Sequence, residues 1–308
     1  MKLNVSNTSY KGVSALRTET EMFDLILTKA AEDDRILAVY MNGSRTNPHA
    51  PKDLFQDYDI VYVVNKTAPF VTDHTWIDYF GERLMIQEPD KNDAAVGKPV
   101  NIHKSYTYLM LFTDGNRIDL HVETVASMQE GYKSDSLTVP LLDKAGILPA
   151  IAPASDQDYR VKKPTEAEFL NSCNEFWWCL QNVAKGIWRD ELPYAKEMFE
   201  QVVRVPLNEM VSWWIGHNHD FQVSTGKMGK YFKDSLPEKM WLQYEQTYSG
   251  PNVKAFWTSI FAAISLFSAL AKELAKEFQY TYHQCEEDNM LLYVRHVQAL
   301  PADAKTIF

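Results

Sequence analysis

Two short polar segments lie beside apolar runs, and their residue types suit phosphate and metal chemistry. The first is the turn Met41-Asn-Gly43-Ser44-Arg45, at the end of the apolar run 36–41. The second places Asp57 and Asp59 at the start of the apolar run 58–64. Residues i and i+2 of a strand face the same side, so we expect the two carboxylates to lie together. Two such charges repel each other, and a bound cation is the usual relief.

Mg²⁺ is the cation that this chemistry favours, because it prefers carboxylate and phosphate oxygens to softer ligands. A third candidate ligand is Asp119, on a predicted strand that follows the hairpin turn Asp114-Gly115-Asn116. Three carboxylates on neighbouring strands would hold two metal ions. Such a pair stabilises both the attacking and the departing oxygen of a phosphoryl displacement.

The Gly43-Ser44-Arg45 turn offers groups that suit a polyphosphate. Gly43 lets the backbone approach a phosphate, Ser44 supplies hydroxyl and amide donors, and Arg45 supplies a positive charge. The alternative is that this is only a turn and that the two aspartates are solvated acids at a strand edge. We favour the metal site because both motifs occur together, at this spacing and between apolar runs.

The residues of these motifs resemble the signature of the DNA polymerase β-like nucleotidyltransferase superfamily. A longer collinear series more closely resembles the aminoglycoside 6-adenylyltransferase family, the streptomycin adenylyltransferases, and it covers most of the chain. The series is GSRTNP (43–48), FQDYDI (55–60), DGNRIDL (114–120), LLDK (141–144), KKPTEAEF (162–169), CNEFWW (173–178), VAKG (183–186) and GKMGKYF (226–232).

The resemblance implies Mg²⁺-dependent transfer of AMP from ATP to a hydroxyl of an aminoglycoside such as streptomycin, with release of pyrophosphate. Asp57 and Asp59 would hold the metal, Ser44 and Arg45 would touch the triphosphate, and Asp119 would be the third carboxylate. Whether Asp119 is a metal ligand, the general base or both stays open. Two alternatives remain: an enzyme of the same fold with a protein or another small molecule as acceptor, and a nucleotide-binding module without catalysis.

The second half of the chain supplies further candidates for nucleotide binding. The family pattern makes Lys185, Lys227 and Lys230 the cations that clasp the triphosphate, although each alone would be read as a solvated surface charge.

Candidates for binding a cationic substrate also lie in the second half. Glu175, Trp178 and Asp190 offer carboxylates and an aromatic face, which suit ammonium and guanidinium groups. The alternative for Trp178 is a place in the core. Glu175 lies in an apolar aromatic run, so we expect it to be buried.

The pattern of the elements predicts an α+β protein, with a mixed-sheet nucleotidyltransferase domain followed by an all-helical domain. We assign residues 1–150 to the first domain, with a loose leader at 1–16, and residues 151–308 to the second, which would clasp substrate and nucleotide. The predicted strands are 36–41, 58–64, 83–87, 106–113 and 117–122. The predicted helices include one from Thr18, a short one over 75–80, and long ones over 165–187 and 252–278.

Composition excludes several classes of protein. The net charge is −10, and phosphate backbones need clustered cations, so we expect no nucleic-acid partner. No apolar run reaches about 18 residues and no signal peptide is recognisable, so neither a membrane span nor secretion is expected. The three cysteines have no paired spacing, which argues against a disulfide framework. We expect a cytoplasmic protein, and a monomer.

Overall fold

The structure is a computed structural model that describes residues 15–308. The chain divides into two compact units, one ending at Asp158 and the other running from Tyr159 to Phe308. The division lies within the Pro-rich segment after residue 150, near the predicted domain boundary. The predicted leader falls almost entirely outside the described residues.

The strands of the first unit form one six-stranded sheet within residues 15–308, in the order β3-β4-β5-β2-β1-β6. β2 and β5 pair in parallel, while the other neighbouring strands pair antiparallel, so the sheet is mixed. The strands are β1 (Ile36–Asn42), β2 (Tyr58–Val64), β3 (Arg83–Gln87), β4 (Ser105–Phe112), β5 (Arg117–Thr124) and β6 (Val139–Asp143).

Four α-helices accompany this sheet in the described part of the unit: α1 (Glu19–Glu32), α2 (Ala68–Thr72), α3 (Pro89–Ala95) and α4 (Val125–Gly131). Short 3₁₀ turns span Ser44–Thr46, His74–Phe80 and Gln157–Tyr159. α1 begins with a capping box, in which Thr18 and Glu21 satisfy each other's backbone donors.

The two faces of the sheet differ, as strand alternation requires. Ile118, Leu120 and Val122 of β5 lie in the larger core, together with Met22 and Ile26 of α1. The opposite face has a smaller core near α4, built from Ala38, Tyr40, Val61, Val63, Met128 and Tyr132. The remainder of that face carries the alternate residues of β5, from Arg117 to Glu123.

Five of the six strands match the predictions to within two residues at each end. The missed strand is β6, which pairs with β1 at the edge of the sheet. Pro140 interrupts its apolar run, and a proline within a run argues against a central strand. An edge position tolerates proline because one side of the strand needs no partner.

The second unit is built of helices throughout the part of the chain described after Tyr159. They are α5 (Glu166–Trp188), α6 (Leu192–Glu197), a π-helical stretch (Met198–Val203), α7 (Arg204–Asn218), α8 (Phe232–Ser235), α9 (Glu238–Glu245), α10 (Val253–Phe278) and α11 (Gln284–Ala299), with a 3₁₀ turn at Lys227–Gly229. The predicted α+β class, a mixed sheet followed by a helical part, is confirmed.

Aromatic side chains of α5 and α10 meet in the core of the helical unit. Phe176 and Phe267 stack with their ring centroids 3.8 Å apart. α10 is long and apolar enough to cross a membrane by length and composition. Its apolar side chains from Phe256 to Phe278 are nevertheless largely buried in this unit's own core, which accounts for its composition.

Candidate active site

Asp57, Asp59 and Asp119 come together at one end of the sheet. Each offers a carboxylate oxygen, and these oxygens all lie within 4.8 Å of one another. The parallel pairing of β2 and β5 sets Asp59 directly opposite Asp119. Asp57 stands one residue before β2 begins, on the same side as Asp59. The cluster predicted from the sequence is therefore present.

Burial and the charges of its neighbours both shift the pKa of Asp59. Burial, followed by the negative charges of Asp57 and Asp119, raises the pKa of Asp59 to about 7. Without a cation, this carboxyl would therefore hold its proton to a higher pH than an ordinary aspartate does. A hard divalent cation would displace that proton, so the donor set fits such an ion.

Arg117 is a member of the site that the sequence analysis missed. Its guanidinium donates to both carboxylate oxygens of Asp119, at 2.7 and 2.5 Å, and lies 3.8 Å from the Asp57 carboxylate. Positive charge from Arg117 also lowers the pKa of Asp59, although burial and the acids outweigh it. The available signal was its position two residues before Asp119, which puts both side chains on one face of β5.

Gly43 lies against the carboxylate of Asp59. A Cβ at this position would stand 2.0 Å from Oδ2 of Asp59, well inside any allowed contact. Its φ of +78° is also in the region that favours glycine. Ser44 begins the 3₁₀ turn that follows. The Thr46 hydroxyl stabilises this turn, because it lies within hydrogen-bonding distance of the carbonyls of Gly43 and Leu137.

Arg45 is engaged by the protein itself. Its guanidinium donates to the backbone carbonyls of Gln56 at 2.7 Å and Asp57 at 3.2 Å, and it pairs with Glu19 at 3.1 Å. It also lies 3.8 Å from the centre of the Tyr58 ring. These contacts fix the backbone that carries Asp57, so Arg45 is a positioning residue in this arrangement. Its contact with a triphosphate stays a prediction.

A second polar group continues along the same face of β5 beyond Asp119. Glu123 is buried and accepts a 2.5 Å hydrogen bond from the Tyr40 hydroxyl. His121 lies between Asp119 and Glu123, with its Nδ1 3.0 Å from the Thr107 hydroxyl. Burial lowers the pKa of His121 and so favours its neutral form. His121 and Glu123 therefore continue the polar side chains of β5 beyond Asp119.

The candidates in the helical unit lie in two places. Lys185 on α5 lines a pocket of about 350 Å³ together with Trp188, Arg189, Tyr293 and Lys305. Lys227 and Lys230 are exposed in the loop that begins at Gly226. The 350 Å³ pocket thus gathers three cations around aromatic side chains.

The predicted substrate-binding residues are all exposed. Trp178 is 63% exposed, and Asp190 is exposed in the turn after α5 with φ +58°. The expectation that Glu175 is buried is wrong. The buried face of α5 is set by residues such as Phe169, Cys173 and Phe176, and the helical period turns Glu175 to the outside with Trp178.

Comparison with known proteins decides the family. The family model described as streptomycin adenylyltransferase matches residues 16–297. The chain belongs to this family. It is therefore a nucleotidyltransferase, an enzyme of a family that uses a nucleotide and a divalent metal.

Relatives of the same family are similar over nearly their whole length. An aminoglycoside 6-adenylyltransferase of Campylobacter jejuni is 36% identical over 272 residues, which is 88% of this chain and 93% of the relative. One from Bacillus subtilis (strain 168) is 34% identical over 273 residues, or 88% and 95% of the two chains. A crystal structure of an aminoglycoside 6-adenyltransferase from Bacillus subtilis is 30% identical, with a TM-score of 0.46. That alignment covers 92% of this chain and all of the other.

Proposed function

We propose that this enzyme transfers AMP from ATP to a hydroxyl of an aminoglycoside, with streptomycin as the first candidate, and releases pyrophosphate. The observation that carries the proposal is the cluster of Asp57, Asp59 and Asp119 opposite the Gly43-Ser44 turn. The relatives named aminoglycoside 6-adenylyltransferase support the choice of acceptor.

The three carboxylates would hold Mg²⁺, with two ions as the expected number. When bound, these ions would neutralise the triphosphate and stabilise the charge of the departing pyrophosphate. Gly43 keeps the space in front of Asp59 free, and its neighbour Ser44 would offer a hydroxyl and an amide N–H to a phosphate.

Asp119 would orient the attacking hydroxyl or accept its proton. The bidentate bond from Arg117 stabilises the charged carboxylate of Asp119. Because Arg117 occupies both oxygens of Asp119, it would have to release this carboxylate at least in part for either role, metal ligand or base. The triphosphate is a competing partner for this guanidinium.

The cationic pocket around Lys185 supports a role in nucleotide binding. Lys185, Arg189 and Lys305 would attract phosphates, and Trp188 and Tyr293 offer faces on which a base can stack. Lys227 and Lys230 add two exposed charges in a loop, and we assign them to the same task.

Mass spectrometry of the acceptor tests this function. The protein is incubated with ATP and Mg²⁺ together with streptomycin, spectinomycin or a mixture of candidate protein acceptors. We expect streptomycin to gain one adenylyl group while pyrophosphate appears in equal amount. Adenylylation of a protein acceptor alone, or no pyrophosphate with any acceptor, would contradict the proposal.

A further inference from the structure

A groove of about 760 Å³ lies between α10 and α11 in the helical unit. Its floor is apolar and consists of Phe261, Ile264 and Leu291, which belong to the core of this unit or pack against it. Ser265 and Ala269 of α10 line its rim, and their short side chains leave the groove open to solvent. An open apolar groove between two helices is a common docking site for a third helix.

The charges that line the groove leave one net positive charge. Glu287 is buried, and its carboxylate accepts hydrogen bonds from three side chains: Ser268, Lys272 and Tyr282. Among the described residues that line the groove, Arg295 is the only charged side chain besides Lys272 and Glu287, and it is exposed. The groove therefore fits a helix that carries an apolar side chain and an acid on one face.

The outer face of α11 itself carries such a pattern. Asp288, Leu292 and Arg295 are spaced four and three residues apart, so they share one face of the helix, and all three are exposed. Gln284 donates a 2.9 Å hydrogen bond to Asp288, but this neutral partner does not compensate the charge of the carboxylate. Leu292 is 72% exposed. A single exposed leucine is common, but this one lies one helical turn from an acid and beside an apolar groove.

The charged residues of this face are complementary to a second copy of themselves. A twofold axis that crosses α11 between Leu291 and Leu292 is equally far from Asp288 and from Arg295 along the helix. Two antiparallel copies of α11 about this axis would therefore form two identical ion pairs, each between Asp288 of one copy and Arg295 of the other. Closed twofold dimers use such contacts, in which one surface binds its own copy.

We propose that this chain forms a twofold dimer in which α11 of each subunit docks against the α10–α11 groove of the other. Leu292 enters the groove of the partner subunit, and Arg295 pairs with Asp288 of the partner subunit. Burial of the two leucines supplies affinity, and the ion pairs fix the antiparallel orientation. The dimer replaces the monomer expected from the sequence, and it does not depend on the reaction that the enzyme catalyses.

Sedimentation velocity of the full chain tests the dimer. We expect the wild type to change from monomer to dimer between ~1 and ~100 μM, because a small interface gives a Kd in the micromolar range. Leu292→Glu should raise this Kd at least ~100-fold, since it would place a charge on the apolar floor of the groove. Glu245→Arg, at an exposed acid of α9 outside the groove lining, is the control and should dimerise as the wild type does.

Charge reversal tests the orientation of the two copies. Asp288→Arg and Arg295→Asp each place like charges opposite each other twice in the dimer, so each alone should weaken dimerisation at least ~10-fold. An equimolar mixture of the two variants should dimerise with a Kd within about threefold of the wild-type value, because every arginine of one variant then faces an aspartate of the other. Damage to the fold would not be reversed by mixing, and thermal unfolding of each variant verifies the fold independently.

Three results would overturn the proposal. The first is a wild-type chain that stays monomeric up to ~100 μM. The second is a dimer that persists unchanged in Leu292→Glu and in both charge variants, because the copies would then meet through another surface. The third is a mixture of folded Asp288→Arg and Arg295→Asp proteins that remains monomeric where the wild type dimerises.

Discussion

Gly43 and Asp59 are in closer contact than any other residue type at position 43 would permit. A methyl group there would stand 2.0 Å from Oδ2 of Asp59. β1 and β2 pair antiparallel with Asn42 opposite Asp59, so the turn after β1 has to pass directly over this carboxylate. The glycine is thus a requirement of the metal-binding arrangement as well as of the turn.

Gly43→Ala should inactivate the enzyme without unfolding it. The added methyl must displace either the turn or Asp59, and a shift of about 1 Å at a reacting group can cost ~10²-fold in rate. Gly97→Ala is the matched control, because Gly97 has nearly the same φ, +79°, with no atom within 4 Å of its Cβ position. The measurement is kcat beside the thermal midpoint, and equal rates for the two variants would contradict this account.

Arg117→Met should tighten the binding of a divalent cation in the absence of nucleotide. Arg117 competes with the cation for Asp119 and Asp57. Because Arg117 is nearly half exposed, solvent screens its charge, and we expect roughly a tenfold gain in affinity, about 1.4 kcal/mol. Calorimetry with Mn²⁺ at pH 8 measures this. The control is Arg83→Met, which removes an arginine of β3 that contacts Asp78 and the carbonyl of Ile77. Weaker metal binding in Arg117→Met would show that Arg117 supports the cluster.

Asp114 should make the stability of the protein depend on acid pH. Arg17 and Asn116 donate hydrogen bonds to this buried carboxylate and hold the pKa of Asp114 well below its ordinary value, against the opposing effect of burial. As the pH falls, the Asp114 carboxyl of the unfolded chain is therefore protonated at a higher pH than that of the folded protein. The stability from this group is complete above about pH 4 and is lost as the pH falls further.

Urea unfolding of Asp114→Asn tests this assignment. We expect a loss of about 2 kcal/mol at pH 7, since Arg17 is left without its charged partner, and a weaker fall in stability between pH 4 and pH 2 than in the wild type. Parallel pH profiles for the two proteins would mean that another group causes the acid dependence.

Lys185→Met should raise the KM for ATP and leave the KM for streptomycin nearly unchanged. Lys185 lines the cationic pocket, and its ammonium donates a 3.0 Å hydrogen bond to the side-chain oxygen of Asn182. Loss of one charged contact to a phosphate predicts a KM roughly tenfold higher. Lys276→Met, an exposed lysine of α10, is the control. An effect on streptomycin alone would place Lys185 with the acceptor.

Short apolar runs carried most of the fold prediction for the first unit. The apolar runs of β1, β2 and β3 are bounded by turn residues, so their positions could be predicted from the sequence. β6 was missed because Pro140 interrupts its apolar run. The spacing of Asp57 and Asp59 predicted their common side. Their approach to Asp119 depends on the parallel pairing of β2 with β5, which no local pattern specifies. The position of Asp119 on the strand after the Asp114-Gly115 turn made it a candidate, and the family resemblance supported that choice.

The pockets of the helical unit could not be predicted because they depend on contacts between helices that are far apart in the sequence. The prediction did not include α11, whose sequence is largely polar, so Tyr293 did not enter the candidate site. Glu175 was misplaced because neighbouring aromatic residues in the sequence were taken as neighbours in space. On a helix, positions three or four apart share a face, and adjacent positions do not.

Adenylyl transfer to streptomycin by the wild type and by Asp59→Asn is the most direct test of the central claim, that the aspartate cluster catalyses this reaction. Asp24→Asn, an exposed acid of α1, is the control, and thermal unfolding verifies each fold. We predict adenylylated streptomycin from the wild type and the control, and at least ~100-fold slower formation by Asp59→Asn, because a metal-binding charge is lost. Product formation by a folded Asp59→Asn protein at the wild-type rate would contradict the claim.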